Sequence, residues 1–463
     1  MSDHLDNEHF DTLIVGTGAT ESIIANELSA AGHKVLHIDR NSYYGGPNAC
    51  FSLSGFLTWT LTRDFRQVPQ LDLHIGNGLF AIDKPGPIES LTAQLMTYHK
   101  EGDLSTAQET LDGLLANDRA YMVEPVPKLV LCRGNMIDLL VDQGVGDFMR
   151  FRGVDHNYLV TRQGLERVPE SKEDIFASTS LTLVEKRKLM RLMTTLGANL
   201  EKPEGSFSQL LAQQFKLTGK LHDTVLYAVA RQTGYELSAQ EGCDRVYKYV
   251  NSIGRYGRMA YLCAQYGGGS EIAQSFCRLC AVTGGTYILD EKLECIEPNE
   301  DGFKVSLRRG TAQVSRIVMD PGYYSPNSAA LDSVVSRAVC ILDNPVLGTD
   351  TTCVLTFLDE GSVVSLLYVT SATMAVPEGQ ALMYAWTEGT IASTKPLLQR
   401  AVGVVAQQAN VVLSVFFEVR ELTAPATDGI FYTSQPDTSV DFESTYDAAQ
   451  QVLSMINKPD TRI

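Results

Sequence analysis

Phe10-Asp-Thr-Leu-Ile-Val15-Gly16-Thr17-Gly18-Ala19-Thr20-Glu21 and, one helix later, Lys34-Val-Leu-His-Ile38-Asp39 are the stretches that decide the architecture of this chain. Phe10 to Val15 is a short apolar strand closed by a glycine turn. A helix follows from about Ala19 to Ala31, Gly32 stops it, and the strand Lys34 to Ile38 ends on the acid Asp39. Strand, helix and parallel strand form a βαβ unit, the opening of a dinucleotide-binding α/β fold. The site in such a unit needs Gly-x-Gly-x-x-Gly. The first glycine makes the turn, the second lets the pyrophosphate approach the backbone, and the third lets helix and strand pack closely. Gly16 and Gly18 fill the first two places, but Glu21 stands in the third. A carboxylate in the first helical turn takes the electropositive helix end and adds negative charge where the ligand is negative. Asp39 stands where a ribose-binding acid belongs. Gly16, Gly18, Glu21 and Asp39 therefore predict the fold together with a vestigial dinucleotide motif and no bound cofactor.

Outward from this unit, residues 50–135 mix short strands and loops. Between about Ser171 and Arg231 the pattern turns helical, with Leu189, Leu192, Met193, Leu196 and Leu200 on one stripe and a Thr182/Glu185 capping box ahead of it. From Tyr261 strands and helices alternate again. Strands are expected at Lys304–Leu307, Ala338–Ile341, Val354–Phe357 and Gly429–Thr433, and Ala401 to Phe417 reads as core. The expected fold class is α/β: a flavoprotein-like dinucleotide-binding domain with mixed sheets over residues 1–169 and 236–463, and a smaller inserted all-helical domain over 170–235.

The chain has 463 residues, 44% of them hydrophobic, and carries 38 basic against 55 acidic side chains, a net charge of −17. Attraction to nucleic acid or to anionic lipid is not expected at that balance, whereas basic protein partners fit it. No apolar run reaches the roughly 18 residues of a membrane span, and no charged-then-apolar leader opens the chain. With nine scattered cysteines the expectation is a reduced, cytoplasmic protein. Cys277 and Cys280 have the spacing of half a zinc site or a redox pair. No second pair or histidine cluster answers them in the sequence, so they read as buried helix cysteines and no metal site is expected.

Tyr266-Gly267-Gly268-Gly269-Ser270-Glu271 with its helix, and Gly284-Gly285-Thr286-Tyr287-Ile288, resemble a segment of flavin amine oxidases and phytoene desaturases. Those enzymes hold their flavin at a Gly-Asp turn after the last strand. Here Gly429-Ile-Phe-Tyr-Thr-Ser-Gln-Pro-Asp437 has no such pair at the strand end.

Leu36-His-Ile-Asp39-Arg-Asn-Ser-Tyr43-Tyr44-Gly45-Gly46, taken with Gly16-Thr-Gly-Ala-Thr-Glu21, is similar to the N-terminal signature of the GDP-dissociation inhibitor and Rab escort protein superfamily. Gly254-Arg255-Tyr256-Gly257, the run Gln274 to Gly285, and Ser336-Arg-Ala-Val-Cys-Ile-Leu342 continue the resemblance in order along most of the chain. The resemblance implies a non-catalytic carrier that binds Rab GTPases in the GDP form, shelters geranylgeranyl lipid and touches membranes transiently when it delivers the Rab. It carries Rab contacts onto Tyr44 and Arg255. Escort proteins also dock Rab geranylgeranyltransferase through a phenylalanine and, eleven residues on, an arginine. Phe176 and Arg187 have that spacing. Without the resemblance, Phe176 reads as core and Arg187 as a solvated charge. Leu189, Leu192, Met193 and Leu196 are candidates for the lipid shelter and equally for ordinary helix packing. Gln265 stands where the family has leucine or methionine, and the loop Gly267 to Gln274 lacks the family's proline. The competing readings are a Rab GDP-dissociation inhibitor, with no transferase contact, and a flavin-dependent oxidoreductase.

Overall fold

The computed structural model describes residues 5, 8–62, 71–82, 91–179, 181–196, 203–323, 330–424, 428–433 and 437–457. Strand β1 (Glu8–Val15), helix α1 (Ala19–Ala30) and strand β2 (Val35–Ile38) form the expected βαβ unit. The strands run parallel, with Thr12 opposite Val35 and Val15 opposite Ile38. Successive side chains of β1 face opposite ways, as a pleated strand requires. Ile14 joins the helix-side core with Ile23, Ile24 and Leu28 of α1, while Leu13 and Val15 join the core beneath the sheet.

The helical layer comprises α2 (Lys172–Ala177), α3 (Leu183–Leu196), α4 (Phe207–Gln213) and α5 (Ala239–Ser252). Its start is set by caps: Ser171 Oγ accepts from the Asp174 amide at 3.0 Å. At the head of α3, the Thr182 amide donates to Glu185 Oε2 at 2.8 Å and the Glu185 amide donates to Thr182 Oγ1 at 3.3 Å, a reciprocal capping box. The helical core runs past residue 235, because α5 contributes Cys243 and Val246 to the cluster that holds Leu189, Leu192, Phe207 and Leu211. Gly242 makes that closure possible: a Cβ there would lie 2.0 Å from the Phe207 ring.

After this layer α6 (Gly268–Val282) returns the chain to the dinucleotide-type domain, followed by β3 (Thr286–Ile288), the meander β4 (Leu293–Asn299), β5 (Gly302–Leu307) and β6 (Gly310–Met319), β7 (Ile430–Tyr432) and α7 (Glu443–Ile456). The sheet order is β3-β2-β1-β6-β5-β4, with β7 added beside β6. A second sheet of ten strands is centred on Ala330–Leu342, which pairs antiparallel with Ala381–Glu388 on one side and Val411–Thr423 on the other. The expected strands at 304–307, 338–341, 354–357 and 429–433 all lie within or across observed strands. The stretch from Ala401 to Phe417 divides into the end of a helix (Ile391–Val405) and the start of a strand. Ala401, Val402 and Phe416 are buried between that helix and the large sheet.

Candidate functional site

The crevice at the C-terminal end of β1 is built from Gly16, whose φ of +107° only glycine adopts readily, and from the acid at the end of β2. Asp39 is completely buried, and its carboxylate is taken up by the protein. Thr17 donates to Oδ2 from its amide at 2.8 Å and its hydroxyl at 2.6 Å, while the Asn41 amide and the Tyr323 hydroxyl donate to Oδ1 at 2.8 and 2.7 Å. The Tyr323 ring comes within 3.4 Å of where a Gly16 Cβ would stand, and the Arg40 guanidinium lies 4.2 Å from its centroid. Glu21 is buried in the first turn of α1, where Thr433 Oγ1 donates to its carboxylate. Burial and then the negative charge of Asp320 raise its pKa to about 7. The groups that would meet a ribose and a diphosphate are thus a phenol-capped aspartate and a buried carboxyl. These residues do not fit a dinucleotide. No sequence signal pointed to Tyr323 or Thr433, which reach the crevice from 284 and 412 residues away along the chain.

Cys277 and Cys280 lie buried on α6, where Cys277 Sγ is 3.2 Å from Ser22 Oγ. Burial lifts the Cys277 thiol to about 12. Among the described residues no group of three His, Cys, Asp or Glu side chains could hold a metal ion.

Tyr44 is half-buried in the turn after β2, its ring 6.4 Å from that of Tyr287. The turn depends on Gly45, at φ +100°, whose Cβ would press the Ala49 backbone at 3.0 Å. Arg255 follows α5 and is exposed, yet its guanidinium is partly committed. Nη1 donates to the Cys132 carbonyl at 2.8 Å and stands 3.3 Å from Asp138 Oδ1 on the helix Asn135–Asp142. No hydrogen bond or ring contact joins Tyr44 to Arg255 among the described residues.

On the helical layer the two docking candidates point outward. Ile175 of α2 is buried and turns Phe176 into solvent, where it is 65% exposed. Lys186 of α3 donates from Nζ to the Phe176 carbonyl at 2.7 Å, which ties the end of α2 to the first turns of α3. Leu183 and Val184 on that same turn are 73% and 59% exposed, and Arg187 is exposed with no ion pair among the described residues. The sequence reading missed Leu183 and Val184; two apolar residues off the helix's buried stripe were the available signal. The stripe itself is closed: Leu189, Leu192 and Leu196 are buried and Met193 half-buried against Phe207, Leu211 and Val246. A lipid touching them must first part α3 from α4 and α5.

The GDP dissociation inhibitor family profile matches residues 6–78 and 88–460, nearly the whole chain. The chain belongs to the GDP dissociation inhibitor family. Among similar proteins, Rab proteins geranylgeranyltransferase component A of Drosophila melanogaster is 28% identical over 96% of this chain and 88% of its own length. The Rab GDP-dissociation inhibitor of Saccharomyces cerevisiae is 25% identical over 96% of this chain and 94% of its own. Family members thus carry both escort-type and inhibitor-type names. The crystal structure of Rab GDI from Plasmodium falciparum superposes with a TM-score of 0.76 at 20% identity, covering 99% of this chain and all of that one. An oxidoreductase from Methanosarcina mazei shares the fold at a TM-score of 0.55 and 12% identity, covering 97% of this chain and all of that one. The flavoprotein-like architecture and the GDI-family sequence are therefore found in one molecule. No helix among the described residues is long and apolar enough to cross a membrane.

Proposed function

We propose that this chain is a Rab escort protein: it holds a GDP-bound Rab GTPase, presents it to Rab geranylgeranyltransferase and carries the lipidated product toward a membrane. The observation that carries this reading is the exposure of Phe176 at the end of α2 and of Leu183, Val184 and Arg187 in the first turns of α3, two helices tied by Lys186 to the Phe176 carbonyl. An exposed aromatic and an exposed arginine have the composition of an interface anchor, and solvated helices have no need of three exposed apolar side chains. In this reading Tyr44 and Arg255 contact the GTPase, and Phe176 and Arg187 contact the transferase. Holding the GTPase raises the effective concentration of its cysteine tail at the transferase, so the tail is modified without its own sequence being read. Each buried methylene contributes about 0.8 kcal/mol, so a twenty-carbon chain needs a shelter in water. Parting of the α3–α4–α5 core is the opening that would supply one.

No catalytic group is assigned, and the chain acts without a cofactor. Supporting this is the crevice whose ribose acid is capped by Tyr323 and whose helix end holds Glu21. The alternative within the family, an inhibitor with no transferase contact, is favoured by relatives of that name at nearly the same identity. A pull-down of the purified transferase with this chain and unprenylated, GDP-loaded Rab separates the two. The escort reading expects a ternary complex, and its absence would leave the inhibitor. An ultraviolet-visible spectrum of the purified protein is expected to lack flavin absorbance, and a yellow protein would refute the cofactor-free reading.

A further inference from the structure

Helix α3 has a second face that the packing of the helical layer leaves unused. Its buried residues Leu189, Leu192 and Leu196 lie three and four positions apart and form one stripe. Leu183, Val184, Arg187, Arg191 and Thr194 recur at the same spacings on the opposite side of the helix, and all five are exposed. The charge of this helix is the reverse of the chain's. It carries Lys186, Arg187, Lys188 and Arg191 against the single acid Glu185, in a chain of net charge −17. Glu185 is committed to the cap at Thr182. Lys188 donates from Nζ to the carbonyl of Lys216, which holds the backbone of a further exposed cation against the helix.

None of these five cations has a salt bridge among the described residues; Lys186 and Lys188 rest on backbone carbonyls instead. Arg187 and Arg191 form a like-charge pair four residues apart, an arrangement that by itself costs a helix stability. Such a face calls for anions from outside. The net charge of the chain argues against anionic lipid, but salt screens charges beyond about 10 Å, so the cations of one helix face govern what that face meets. The exposed apolar side chains narrow the choice of anion. A lone phosphate has no use for Leu183 and Val184, whereas a bilayer surface sets anionic headgroups directly above an apolar interior. The stripe behind the face, Leu189, Leu192 and Leu196, belongs to the core that would shelter a lipid, one helix diameter of about 10 Å away.

We propose that the outer face of α3 docks on an anionic bilayer. Arg187 and Arg191, with Lys188 and Lys216, meet the headgroup anions, while Leu183, Val184 and Phe176 enter the boundary between headgroups and acyl chains. Phe176 and Arg187 are also the transferase contacts proposed above, so transferase and membrane take this face in turn. That exchange rests on the escort reading; the bilayer contact does not.

The test is co-sedimentation of the full chain with vesicles of phosphatidylcholine alone and of phosphatidylcholine mixed equally with phosphatidylserine, with thermal melts as the check on folding. At low salt the wild type is expected to favour the mixed vesicles by about tenfold or more, and high salt should erase the difference. The double variant Arg191→Glu, Lys216→Glu should lose that preference, and Arg191→Lys, which keeps the charge, should retain it. Leu183→Ser with Val184→Ser should weaken binding to the mixed vesicles. A wild type with no preference, or a preference that survives in the glutamate variant, overturns the assignment and leaves the escort reading standing. Excess transferase with GDP-loaded Rab is expected to lift the wild type off the vesicles, and a chain that holds transferase and vesicles together overturns the exchange. A wild type that binds mixed vesicles through these cations but never retains the transferase keeps the bilayer contact and overturns the escort reading.

Discussion

Glu21 sits where the chemistry of the fold and the chemistry of the family part company. Its pKa of about 7, raised from 4.5 first by burial and then by Asp320, means that between those values the folded chain keeps a proton the unfolded chain releases. Stability contributed by this group is therefore full below pH 4.5 and declines as pH rises toward 7. Glu21→Gln, which can still accept from Thr433, should flatten the fall of melting temperature over that window by up to about one proton's linkage. A melting series with an unchanged slope would show that Glu21 is not the buried proton holder. Glu124, buried against the Gly269 amide, is raised to about 7 and keeps part of the slope. His37 acts on the acid side: burial lowers it to about 4, so stability is lost as pH falls from 6.5 through that value. Tyr323→Phe removes one of the donors to Asp39 and should cost about 1 kcal/mol in urea unfolding. The first two glycines, Glu21 and Asp39 were legible from spacing alone. Tyr323 was not, because it comes from the far side of the chain and follows no local rule.

Elements with strong local signals were read nearly to their ends. The βαβ unit and the Thr182/Glu185 box are set by glycines, caps and periodicity within a few residues. The far end of the helical layer was not legible: α5 belongs to its core through Gly242 against Phe207, a contact 35 residues long in sequence with no pattern to announce it. Gly242→Ala tests that contact. With a Cβ 2.0 Å from the ring, α4 and α5 must separate, and the variant should lose about 1–3 kcal/mol by chemical denaturation. Phe176 was named from the family's spacing, while periodicity alone did not single it out. Its neighbour Ile175 is equally apolar, and only packing decides which of the two turns inward. Phe176→Ala removes an exposed ring, so folding stability should stay within about 0.5 kcal/mol while transferase affinity falls by about 2 kcal/mol or more. Equal affinity of the two forms, measured by titration calorimetry, would place the docking surface elsewhere.

Across the whole molecule, a flavoprotein-like fold carries a helical layer that presents apolar residues to solvent. The family was legible because its signature segments recur in order along most of the chain. The choice between escort and inhibitor was not, since it turns on one exposed surface rather than on the fold. That choice is the centre of the account, and transferase binding decides it most directly. In a sedimentation or pull-down titration with purified Rab geranylgeranyltransferase and GDP-loaded, unprenylated Rab, the wild-type chain is expected to form a ternary complex that Phe176→Ala loses while still binding Rab. A wild-type chain that binds Rab and never retains the transferase would contradict the account.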